Sequence, residues 1–194
     1  PDGRTLVFHA VGQLWTKALP GGEPRRLTSD DSRFEYQPSF SRDGRKLLFT
    51  TWSDEAMGAI HELDLASGQS RKLTTEPGFY YGPRYSPDGR HVVYSRAGGG
   101  GLTGSLWSGT RGVFVMPVAG GEPVQVAGNG ADPHFSADGK RVYFLTGGGL
   151  EKKLMSAGLN GEQPREVFNL KYVDHVAISP DGKSVAFTEL FNGY

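Results

Sequence analysis

A short phrase returns five times along this chain, and any fold it adopts must repeat with that phrase. Asp-Gly occurs at 2–3, 43–44, 88–89, 138–139 and 181–182, at spacings of 41, 45, 50 and 43 residues. The upstream flanks repeat as Pro38-Ser39-Phe40-Ser41, Pro83-Arg84-Tyr85-Ser86, Pro133-His134-Phe135-Ser136 and the looser Val176-Ala177-Ile178-Ser179. Downstream come Leu47-Leu48-Phe49, Val92-Val93-Tyr94, Val142-Tyr143-Phe144 and Val185-Ala186-Phe187, while the first copy keeps only Leu6-Val7-Phe8.

Each copy reads as short strands joined by turns. Strand a ends in Ser-x-Asp-Gly, a tight turn whose glycine supplies a positive φ. Strand b is β-branched and aromatic, over 46–51, 91–96 and 141–145. Strand c is expected at 13–18, 59–65, 113–118 and 153–159. A second turn (Gly21-Gly22, Ser67-Gly68, Gly120-Gly121 or Asn160-Gly161) leads to strand d. Four strands per repeat of 41 to 50 residues is the pattern of β-propeller blades. The expected fold class is therefore all-β, a single propeller of four-stranded antiparallel blades. Its repeat units are 1–29, 30–75, 76–128, 129–169 and 170–194, three complete and two partial. A β-sandwich with evenly spaced hairpins would not require one motif at every fourth strand.

The ends of the pattern leave two arrangements open. Strand a from the last unit would complete the first into a four-bladed ring, with 184–188 left over. The favoured alternative is an arc of a larger ring, whose raw sheet edges pair with further sequence or with another chain. The opening Pro1-Asp2-Gly3 suggests a piece of something longer.

Composition agrees with this architecture and excludes others. With 29 glycines and 12 prolines among 194 residues, long helices are interrupted too often for a bundle or a doubly wound sheet. Lysine plus arginine equals aspartate plus glutamate at 21 each, so no electrostatic footprint for nucleic acid exists. No run approaches the length of an apolar transmembrane helix. The absence of cysteine removes disulfides and thiolate-bound zinc.

The phrase Pro-x-Phe/Tyr-Ser-x-Asp-Gly followed by Val-x-Phe resembles the TolB-like (PD40, or WD40-like) repeat over essentially the whole chain. It differs from the ordinary WD40 repeat, since no Trp-Asp dipeptide ends strand c. Such repeats occur in TolB itself, in tricorn-type and prolyl oligopeptidase-like peptidases, and in propellers fused to amidohydrolases. Three stretches resemble the last group, those fused to imidazolonepropionase-type amidohydrolases: Thr50 to Ile60, the insert 98–112, and the tail 179–194. The resemblance implies a bacterial module of periplasmic or extracellular setting, whose catalytic barrel would lie outside these residues.

No catalytic, metal or cofactor residue is expected within the chain. The His-x-His of such barrels is missing, and His9, His61, His91, His134 and His175 fall in different strands. His134 and His175 both belong to strand a, the strand lining a propeller's channel, and read as hydrogen-bonded strand histidines. The glycine run from Gly99 to Gly104 matches a dinucleotide fingerprint by letter, but it precedes a strand instead of a helix. Gly182-Lys183-Ser184 lacks the upstream glycine of a P-loop, where Ala177 stands. His61-Glu62 has Leu65 where a zinc motif needs its second histidine. No Gly-x-Ser-x-Gly elbow is present. Asp30-Asp31 and Asp54-Glu55 read as solvated loop acids, and Asp43, Asp88, Asp138 and Asp181 as turn residues.

Two clusters are candidates for a contact surface. Phe79, Tyr80 and Tyr81 stand on the expected link from strand d to strand a, and three consecutive aromatics cannot all enter one core. Leu102, Leu106, Trp107 and Arg111 lie in the long b–c insert. The main functional expectation is a non-catalytic propeller of a larger, amidohydrolase-linked hydrolase. It would gate or orient substrate, or contact its own catalytic domain, another subunit or a partner protein. The alternatives are a TolB-type periplasmic interaction propeller and the propeller of an oligopeptidase or tricorn-like peptidase.

Overall fold

The computed structural model describes residues 3–98, 110–148 and 151–189. Every regular element among them is a strand, and within each sheet strands adjacent in sequence pair antiparallel. The first sheet holds β1 (Thr5–Ala10), β2 (Gln13–Ala18) and β3 (Arg25–Arg26). The second holds β4 (Phe34–Phe40), β5 (Lys46–Trp52), β6 (Ala59–Asp64) and β7 (Ser70–Lys72). The third holds β8 (Phe79–Tyr85), β9 (His91–Ala97), β10 (Gly112–Pro117) and β11 (Val124–Ala127). The fourth holds β12 (Ala131–Phe135), β13 (Arg141–Gly148), β14 (Glu151–Gly158) and β15 (Arg165–Lys171), and β16 (Val173–Ile178) with β17 (Val185–Glu189) ends the series.

Three sheets are complete four-stranded blades with strand a at one edge, as the repeat requires. The a strands β4, β8, β12 and β16 pack against one another in turn, so together they form the inner wall of the arc. β16 pairs with β17 and not with β1, so the last strands do not complete the first sheet.

The repeated phrase works as a folding device. Ser41 Oγ donates to Asp43 Oδ1 at 2.6 Å and accepts the Lys46 N–H at 2.9 Å, while Asp43 Oδ1 also accepts the Arg45 N–H at 3.1 Å. The same pattern recurs at Ser86 with Asp88, Ser136 with Asp138 and Ser179 with Asp181. The glycine after each aspartate sits at φ near +71°, which only glycine adopts without a Cβ penalty. These hydrogen bonds, the serine hydroxyl first, hold all four aspartates below their ordinary pKa.

The core lies between blades, which explains the uninterrupted apolar triplets of strand b. Leu47 and Phe49 pack against Leu14 and Val7 of the first blade, while Leu48 turns toward Val92 and Tyr94 of the third. Val93 in turn meets Val142 and Phe144 of the fourth blade, and Leu145 meets Val173 and Val176 of the fifth. Alternate side chains of a strand leave opposite faces, so a sheet covered on both sides needs apolar residues at successive positions. Each such side chain contributes roughly 1.5–3 kcal/mol by leaving water. At the two ends the covering is incomplete: Leu6 is 44% exposed, and Val185 and Phe187 are 36% and 52% exposed.

The seam between the second and third blades also buries a charge. Glu62, 4% exposed, accepts from the Tyr85 hydroxyl at 2.8 Å, Arg71 Nε at 2.7 Å and Lys46 Nζ at 3.2 Å. Burial alone would raise its pKa, but these donors outweigh it and hold the carboxylate below the usual value.

Candidate functional site

Strand a carries a bulge in each complete blade. The register slips between Tyr36 and Ser39, between Tyr81 and Arg84, and between Ala131 and His134, each time around a proline that has no N–H to offer the ladder. The residue before that proline takes a positive φ: Gln37 at 52°, Gly82 at 57° and Asp132 at 48°. Turned out of the ladder, two of these side chains reach the next blade. Gln37 Oε1 accepts the Gly82 N–H at 2.8 Å, and Asp132 Oδ2 accepts the Val176 N–H at 2.7 Å.

The bulges leave the start of the a strands open, and aromatic rings fill the opening. His9 lies near the end of β1, Tyr36 sits in β4, Trp52 ends β5, and Phe79 and Tyr81 begin β8. Together with Gln37, Thr50 and Tyr80 they line a hollow of about 350 Å³. Trp52 and Phe79 stack with centroids 4.6 Å apart, and His9 meets Tyr36 edge-on at 5.8 Å. Beside the hollow, Phe34 is 51% and Tyr81 45% exposed, and Phe34 lies 6.3 Å from Tyr36. Val11, at the tip of the β1–β2 hairpin, is 95% exposed with φ 52°, an unusual conformation for a β-branched residue. The neighbouring Gly12 lies under the Phe34 ring. Among the described residues, His9 apart, no titratable cation or carboxylate lines the hollow, so it suits an apolar or aromatic group.

The expected contact residues are thus only partly brought together. Phe79, Tyr80 and Tyr81 open strand β8 instead of lying in a loop, because the strand begins as soon as Pro77-Gly78 is passed. Alternation then sends Tyr80 into the core beside Tyr94, with its hydroxyl donating to the Glu76 carbonyl at 2.7 Å, and leaves Phe79 and Tyr81 for the hollow. Arg111 is exposed at the foot of β10, where its carbonyl accepts from Gln125 Nε2 at 2.9 Å, and does not line the hollow. Leu102, Leu106 and Trp107 lie outside the described residues.

Sequence reasoning did not reach Val11, nor His9, Tyr36 and Trp52, which lie far apart in the chain and meet only through blade packing. It also passed over Glu35, which is fully buried at the repeat position that Tyr80 fills in the next blade. Glu35 accepts from the Thr28 hydroxyl and from the Leu14 N–H, the latter at 3.4 Å. His134 and His175 do lie in strand a, flanking Asp132 at 3.6 and 3.8 Å. Among the described residues, no three histidine or acidic side chains are grouped to hold a metal ion.

Consecutive four-stranded antiparallel sheets, packed face to face with strand a innermost, define a β-propeller. No family model matches the chain. Over 80 residues it is 31% identical to the Tol-Pal system protein TolB of Rickettsia massiliae, a stretch covering 41% of this chain and 18% of that protein. The TolB of Francisella tularensis subsp. holarctica is 28% identical over 82 residues, 42% of this chain and 17% of that one. The crystal structure of TolB from Acinetobacter baumannii matches with a TM-score of 0.77 at 21% identity, over 99% of this chain and 47% of its own. The chain is a β-propeller region similar in fold to TolB. Its aligned part spans under a fifth of these curated relatives and its fold about half of the Acinetobacter chain. None of these relatives is an amidohydrolase, and much of the insert and the end of the tail that suggested one (99–109, 190–194) fall outside the described residues.

Proposed function

We propose that this region is a protein-binding propeller that takes an apolar or aromatic side chain of a partner polypeptide into the hollow formed by His9, Tyr36, Trp52, Phe79 and Tyr81. The supporting observation is that rings from three blades converge there, with Tyr81 in its wall and Phe34 beside Tyr36 both exposed. An apolar rim wider than the hollow suits a macromolecule better than a small ligand. Val11 strengthens the reading, because a strained, solvent-exposed β-branched residue costs stability that a contact would offset. The curated relatives are Tol-Pal system proteins, and a propeller that works by holding another protein fits that company. A periplasmic setting goes with this reading, and the chain performs no catalytic step of its own in it.

Selection of a random peptide library on the immobilised chain tests the proposal. Peptides with a leucine or aromatic anchor should emerge, and their affinity should fall at least tenfold in a Tyr36→Ala, Tyr81→Ala double variant. Selected peptides that bind the double variant equally well would exclude the hollow as the site.

A further inference from the structure

A second concavity lies at the other end of the same strands, where the inner wall meets the a–b turns. It measures about 220 Å³ and is lined by Arg42, Arg84 and His134, with Phe135, Ile178 and Pro87 between them. These basic groups come from three consecutive blades. Among the described residues, the Arg42 guanidinium has no hydrogen-bond or ion-pair partner.

The donors in this wall are poorly satisfied. Arg84 Nε and His134 Nε2 are both buried without a hydrogen-bond acceptor. The nearest carboxylate is Asp132, whose Oδ1 stands 3.4 Å from Arg84 Nη2 and 3.6 Å from His134 Nε2. Its other oxygen is already committed to the Val176 N–H at 2.7 Å. Burial would raise the Asp132 pKa, but His134, the Val176 N–H and Arg84 outweigh it and hold it at about 2. Asp132 is therefore ionised at neutral pH, and one carboxylate is shared among Arg84, His134 and, at 3.8 Å, His175, while Arg42 stays uncompensated. A buried donor without an acceptor carries a desolvation penalty, larger when charged, that an acceptor reaching it relieves.

We infer that the concavity lined by Arg42, Arg84 and His134 is a carboxylate-binding site for an acidic side chain or chain terminus of a polypeptide. Two features favour a carboxylate on a carbon stem over a bare inorganic anion. The guanidinium fork of Arg84 matches the two oxygens of a carboxylate. The apolar side chains between the basic groups would meet the methylenes that carry it. The site is separate from the aromatic hollow, and neither depends on the other being occupied.

Titration of the isotope-labelled chain, followed by NMR at constant ionic strength, tests the inference. The probes are N-acetylglutamate α-amide for a side-chain carboxylate, N-acetylalanine for a chain terminus, and inorganic phosphate. At least one carboxylate should shift resonances of residues 84–87 and 134–137 saturably at millimolar concentrations, and which one does so distinguishes the two sources. Arg84→Gln should weaken that binding at least tenfold. Arg42→Gln, at an exposed position whose side chain makes none of the turn's hydrogen bonds, should weaken it about threefold. Absence of saturable shifts, an equal or stronger response to phosphate, or binding indifferent to both substitutions would overturn the assignment.

Discussion

Trp52, at the end of β5, and Phe79, at the start of β8, lie 4.6 Å apart and within 15° of parallel, bridging the seam between the second and third blades. The pair therefore couples blade packing to the wall of the aromatic hollow. Phe79→Ala should lower unfolding free energy by about 2 kcal/mol, from the lost stack and partial burial. Urea denaturation measures the loss, and Trp52 emission in the folded state should move to longer wavelength as water reaches its face.

His61 should make stability depend on pH from about 6.5 downward, beginning above the range in which carboxylates titrate. It is 8% exposed, beside the Phe49 ring and with Arg33 Nη1 3.4 Å from its ring nitrogens. Burial, and then the charges of Arg33 and Lys72, push its pKa from 6.5 down to about 4. Because the folded form resists protonation, the unfolded chain binds the proton first as pH falls. Stability is complete above pH 6.5 and declines toward pH 4, by up to about 3 kcal/mol. Melting temperatures at pH 7 and pH 4.5 should differ, and His61→Gln should shrink that difference.

The turn aspartates predict a further loss at lower pH. Asp43, Asp88, Asp138 and Asp181 all have pKa values depressed below 3.8 by the serine hydroxyl and the following backbone N–H. Their contribution is present above pH 3.8 and disappears as pH falls through the lower folded values. Acid unfolding monitored by circular dichroism should show a steep fall below about pH 4. In an Asp88→Asn, Asp138→Asn double variant that fall should be shallower.

At the seam between the second and third blades, Tyr85→Phe removes one of the donors to buried Glu62. A hydrogen bond to a charged group is worth about 1.5–3 kcal/mol, and the unfolding free energy should drop by that amount. The glycine of the third blade's a–b turn offers a contrasting test. Gly89 has φ +72° and a Cβ there would meet nothing within 4 Å, so Gly89→Ala costs backbone strain alone, about 1 kcal/mol.

The blade plan was legible because each of its devices is local in sequence. Ser-x-Asp-Gly closes a turn with its own atoms, and the triplets Leu47-Leu48-Phe49 and Val92-Val93-Tyr94 show two-sided burial directly. The aromatic hollow was legible only in part. Phe79 and Tyr81 stood out as neighbours in sequence and were expected on the link from strand d to strand a, whereas β8 already begins at Phe79, directly after Pro77-Gly78. His9, Tyr36 and Trp52 look like ordinary strand residues until three blades are stacked.

The sequence by itself determined the repeat, the strand order within a blade, the turns that close it and the two-faced central strands, because these depend on interactions within a single repeat and between strands adjacent in sequence. Tertiary structure decided where the wall opens. The bulges at Gln37 and Asp132 send side chains across to the next blade, and the distance from one blade to the next is some 44 or 45 residues of chain. Aromatic rings at one end of the inner wall and unsatisfied basic groups at the other are products of that stacking. A cavity is a property of the gap between blades, and no single blade encodes it.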